Sequence, residues 1–256
     1  MKKQEISRRF TPSLRRMSIS SSRIIKWLAI YTGILIPVIT FLNLFSDDAD
    51  ARAKVLMGFL LVLFWCFGFG LLSYYKRDQF RQFFTAIRMP WQIKFIISVI
   101  ALAMLEEIVT VSLSNAAPFL GSETGKAMIT ASTNYGEVVF LNSVWPVFIP
   151  WILAWTVLLT RYDFPPNHVF LLFGLLGSIA ETHFGIGALI AGFWFFVYGL
   201  MVYLPSYSLP SRKTVPLRWW HYSYTLLLPF LFMYPWGLFY ALIVKGLLGY
   251  DIIMVN

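Results

Sequence analysis

Two acidic residues stand side by side in an otherwise apolar stretch, Glu106 and Glu107 within Ala101-Leu-Ala-Met-Leu-Glu-Glu-Ile-Val-Thr-Val111. Counted from Lys94 at helical rise, they lie ~18 and ~20 Å along a helix. A carboxylate at that depth in a membrane costs ~2.5–3.5 kcal/mol on insertion scales, so such residues face a protein interior or a wet cavity. Glu107, Thr110 and Ser114 follow an i, i+3, i+7 row and predict a polar stripe running outward from the acids. A second chemical group comes later, in Glu181-Thr182-His183. Glu181 lies ~20 Å from His168, a depth matching that of the first pair. Glu106, Glu107, Glu181 and His183 are therefore the expected site. Such a set suits a proton relay, a divalent metal held by Glu and His, or general acid/base hydrolysis.

The acid pair resembles the first motif, Glu-Glu-x-x-x-Arg, of the glutamate-dependent intramembrane proteases of the CAAX-protease and bacteriocin-processing type. Val111 stands where the arginine would be. Ile179 takes the place of the phenylalanine in Phe-x-x-x-His before His183, and Thr225 that of the asparagine in His-x-x-x-Asn after His221. The resemblance stops at the two acids, and membership is not claimed.

Other reactive residues read more plainly. His168 and His221, beside Asn167 and Trp219-Trp220, sit at element boundaries and are expected as interfacial anchors. The single cysteine, Cys66, lies in an apolar run, so no intrachain disulfide and no cysteine-based zinc site can form. Asn142 and Ser143 fall near one end of a predicted helix, where polar residues cost little.

The elements that must carry these residues are apolar helices. Of the 256 residues, 58% are hydrophobic and 13% charged, against about 25% charged in soluble domains. Apolar stretches of about 20 residues recur, each long enough to cross a ~30 Å hydrocarbon core. The expected fold is all-α: a polytopic membrane domain over 24–250 after a basic tail at 1–23. About seven helices are predicted, at 24–45, 54–75, 93–113, 138–160, 167–181, 185–204 and 222–246. The pair 167–181 and 185–204 is read as two spanning helices, with a re-entrant hairpin as the alternative. Residues 114–137 make a long, small and polar connection, a candidate outer cap.

Charge sets the expected orientation. With the N-terminus inside, seventeen of the 21 Lys and Arg fall on the cytoplasmic side and only Arg52, Lys54, Lys126 and Lys245 outside. The chain is thus expected as a multi-pass protein of the cell membrane, N-terminus cytoplasmic and C-terminus outside. Eight basic residues within positions 1–26 predict contact with anionic lipid headgroups rather than nucleic acid.

Three functions follow: a membrane-embedded, hydrolase-like enzyme acting on a lipid or membrane-borne substrate; a proton- or ion-coupled transporter of small solutes; or a non-catalytic subunit or assembly factor whose acids pair with a partner membrane protein.

Overall fold

A computed structural model of the chain describes residues 12–181 and 192–248. Their regular elements are all helices, and among them the only extended pairing is an isolated bridge between Tyr162 and Val215. Helix α1 (Pro12–Asn43) begins well before the apolar stretch expected from residue 24. Proline suits its first turn, where a backbone N–H would have no partner.

Helix α2 (Ala49–Ala86) is capped by Asp48, whose carboxylate accepts from the backbone N–H of Asp50 and Ala51. Its far end is closed by Lys94, whose Nζ donates to the carbonyls of Phe84 at 2.7 Å and Ile87 at 3.2 Å. Helix α3 (Trp91–Asn115) follows Pro90. A 3₁₀ turn, Ala117–Leu120, ends at Gly121, whose φ of +87° favours glycine. Helix α4 (Tyr135–Arg161) is capped by Asn134. Then come α5 (Pro166–Glu181), α6 (Trp194–Tyr207) and α7 (His221–Leu248).

Five of these, α1 to α4 and α7, are long and apolar enough to cross a membrane. Helices α5 and α6 are shorter, at 16 and 14 residues. Residues 185–191, expected as the start of the sixth helix, lie outside the described residues.

Helix α6 is hydrophobic and buried on nearly every side, as a central helix should be. It packs against α5, α3 and α2. Its closest neighbour is α5, and glycines allow the approach. A Cβ on Gly174 would meet the Phe195 backbone at 2.6 Å, and one on Gly199 would meet Phe170 at 2.8 Å. Tryptophans lock the centre: Trp65 Nε1 donates to the Val197 carbonyl at 3.0 Å, and Trp151 Nε1 to Met233 Sδ at 3.0 Å. Cys66 is buried within this core, as expected for a small apolar residue. Helices α1 and α7 lie outermost, with apolar side chains such as Ile34, Phe41, Leu231 and Leu242 exposed.

At the end of the molecule that carries the α4–α5 and α6–α7 connections, the two loops are stitched together. Val215 N–H donates to the Arg161 carbonyl at 2.9 Å. The Arg212 guanidinium lies 4.7 Å from the Trp91 ring and 3.4 Å from Asp163. Burial pulls its pKa below the usual arginine value, and Asp163 partly offsets this. The two histidines at this end, expected as interfacial anchors, are buried among protein side chains. Nδ1 of His168 pairs with the Tyr222 hydroxyl at 2.8 Å, and Nδ1 of His221 accepts from Arg218 N–H at 2.9 Å.

Candidate functional site

Carboxyl groups from two separate stretches of chain meet in one cavity. Its volume is about 470 Å³, and Glu106, Glu107 and Glu181 all line it. Helix α3 presents the first two partway along its length, and Glu181 is the last residue of α5. Trp194, the first residue of α6, lines the same space. His183, the fourth expected site residue, falls outside the described residues.

Helix α4 supplies the wall opposite α3, and it does so at a break. Pro146 has no N–H to donate, and its ring clashes with the carbonyl four residues back, that of Asn142. The helix answers with two wide turns. Ser143 N–H donates to the Val138 carbonyl, and Phe148 N–H to the Ser143 carbonyl, each five residues apart. Between them Ser143 leaves the helical conformation, at φ −131° and ψ −71°. Its hydroxyl donates to Glu107 Oε1. Such π-type turns concentrate at functional sites.

Glu107 also lies 3.3 Å from the Thr110 hydroxyl, which stands 3.1 Å from the Glu107 carbonyl as well. Glu106 is different. It is 5% exposed, and among the described residues its carboxyl group has no hydrogen-bond partner. Glu181 Oε1 accepts from the Tyr198 hydroxyl of α6. That contact depends on Gly177, one turn before Glu181: a Cβ there would come within 2.1 Å of the Tyr198 ring. The glycine makes the slot, the ring fills it, and the hydroxyl reaches the acid.

The segment between α3 and α4 covers the chamber, with Met128, Ile129, Thr130 and Ala131 in its lining. Ile129 N–H donates to the Ser114 hydroxyl at 3.1 Å, and Asn115 to the Thr133 carbonyl at 3.0 Å. The expected polar row on α3 thus divides its work. Glu107 and Thr110 face the chamber, while Ser114, fully buried, holds the cap.

Phe148, Trp151, Trp194 and Tyr198 form aromatic walls, and no Lys, Arg or His is among the described lining residues. Among the described residues no group of three or more His, Cys, Asp or Glu is placed to hold a metal together. A second, wholly apolar cavity of about 240 Å³ adjoins the first, with Glu107 in both linings. Met104, Ile108, Tyr135 and Phe140, all exposed on the outer surface of α3 and α4, form much of it.

Sequence reasoning alone missed the roles of Ser143 and Tyr198. Pro146, close after Ser143, was the available signal for the first; no local pattern marks the second. Comparison with protein-family models, with curated proteins and with solved structures finds no match to this chain.

Proposed function

We propose that the chain is a seven-span protein of the cell membrane, N-terminus cytoplasmic and C-terminus outside, whose acidic chamber is a hydrolase-like centre for a lipid or membrane-borne substrate. The seven spans include α5 and α6. Both begin or end at the chamber, so their short lengths fit a pair that meets in the outer half of the bilayer. In this reading the basic tail lies on anionic headgroups of the cytoplasmic leaflet.

The observation that carries the proposal is the convergence of Glu106, Glu107 and Glu181 on one cavity that adjoins an apolar groove. Adjacent carboxyl groups lining one chamber can pass a proton between them, which suits general acid/base work. Glu107, which receives the Ser143 and Thr110 hydroxyls, is the base. It takes a proton from water as the water oxygen bonds to the substrate's carbonyl carbon. Glu106 gives its proton to the leaving group as the bond between the carbonyl carbon and that group breaks, and the proton on Glu107 then passes to Glu106. Tyr198 and Glu181 orient the substrate.

The test uses purified protein in liposomes made from a native membrane lipid extract, followed by mass spectrometry of the lipids. Wild type is expected to consume at least one lipid species, with Glu106→Gln and Glu107→Gln both inactive and normally expressed. Active double mutants would remove the proposal.

The break in α4 at Ser143 favours a second reading, a proton- or cation-coupled carrier, since discontinuous helices line binding sites in transporters. That reading predicts solute uptake driven by a pH or ion gradient in the same liposomes.

A further inference from the structure

The chamber and the groove differ in chemistry, yet they share Glu107. We infer that together they bind a single-chain amphiphile with its alkyl chain in the groove and a primary ammonium in the chamber. The inference rests on the reading of this site as one for a membrane-borne substrate, and it names the head and tail which that substrate carries beside the carbonyl group that is cut.

Charge decides the head. Three carboxyl groups, with no Lys, Arg or His in the described lining, repel phosphate and carboxylate heads and attract a cation. Aromatic faces from Phe148, Trp151, Trp194 and Tyr198 surround the same space and favour an organic cation.

Hydrogen bonding narrows the choice further. Glu107 and Glu181 already receive hydroxyl donors, but the Glu106 carboxyl is buried in the lining with no donor among the described residues. A primary ammonium brings three N–H donors and is charged at neutral pH, as a lysine head is. A quaternary ammonium brings the charge without a donor.

Position decides the tail. The groove has no polar surface, and its rim of Met104, Ile108 and Phe140 is exposed on the outer face of the helices. A chain lying there would enter from the hydrocarbon with its polar end meeting Glu107.

The experiment measures equilibrium binding of radiolabelled probes to the purified protein in lipid nanodiscs, corrected for binding to empty discs. Octylamine should occupy one saturable site. Octyltrimethylammonium, 1-octanol and octanoate should each bind about tenfold more weakly or worse. Glu106→Gln should weaken octylamine about tenfold, and Glu107→Gln should weaken it too, with thermal melting used to show that each variant is folded. Ile108→Trp, which fills the groove, should bring octylamine down to the level of ethylamine. Gly237→Ala, on α7 with open space around it, should bind as wild type does.

Equal binding of octylamine and octanol would overturn the inference, as would an unaltered affinity in folded Glu106→Gln. Acid-dependent lipid turnover without ammonium selectivity would sink this inference and leave the acid/base reading standing. Selective ammonium binding without turnover of any lipid would do the reverse.

Discussion

Glu106 is buried and, among the described residues, no donor reaches its carboxyl group, while its neighbour Glu107 is held by two hydroxyls. A residue kept for packing would be the better satisfied of such a pair, because an unpaired buried polar group costs ~1–3 kcal/mol. The expectation at this scale is therefore unusual. Glu106→Leu should raise the unfolding free energy by ~1–3 kcal/mol while abolishing turnover. Thermal melting in detergent beside the lipid assay reads both quantities. A destabilised Glu106→Leu would mark the acid as structural. Ser143→Ala and Tyr198→Phe remove the hydroxyls that hold Glu107 and Glu181. Each should slow turnover about tenfold or more, since a hydrogen bond to a charged group contributes ~1.5–3 kcal/mol.

Among the elements, the α5–α6 pair and the broken α4 do the positioning. Gly177→Ala drives a methyl into the Tyr198 ring, with an expected loss of ~1–3 kcal/mol from overpacking and loss of turnover through the displaced Tyr198. Gly237→Ala meets nothing within 4 Å and should gain ~0.5–1 kcal/mol instead. Denaturation of the two variants side by side checks the contrast; equal effects would contradict the close α5–α6 contact. Pro146→Ala should let α4 straighten and withdraw Ser143 from Glu107.

Much of this was legible beforehand. Apolar length marked α1 to α4 and α7, because a membrane-length run of apolar residues has few other uses. The cost of a carboxylate deep in a membrane singled out Glu106 and Glu107, and a matching depth added Glu181. The parts that were not legible depend on contact between distant segments. Ser143 looked like a cheap polar residue near a helix end until the wide turns around Pro146 aimed it at Glu107. The burial of His168 was hidden in the same way, because only the fold brings Tyr222 to it.

For the whole molecule, the account joins a topology to a chamber. If the basic residues set orientation, Glu123→Cys on the α3–α4 connection should react with a membrane-impermeant maleimide added outside intact cells. Arg88→Cys, exposed between α2 and α3, should react only after the membrane is opened, and the native Cys66, buried in the core, should stay silent. The reversed pattern would invert the topology.

The central claim is that α3 and α5 bring their acids to one space, and proximity tests it most directly. In a Cys66→Ser background, Glu107→Cys and Glu181→Cys can be paired in one chain and treated with a short bifunctional maleimide in native membranes. The account predicts rapid intramolecular cross-linking, read as protection of both thiols and an internal link by mass spectrometry. Two cysteines that each react singly yet never join would contradict it.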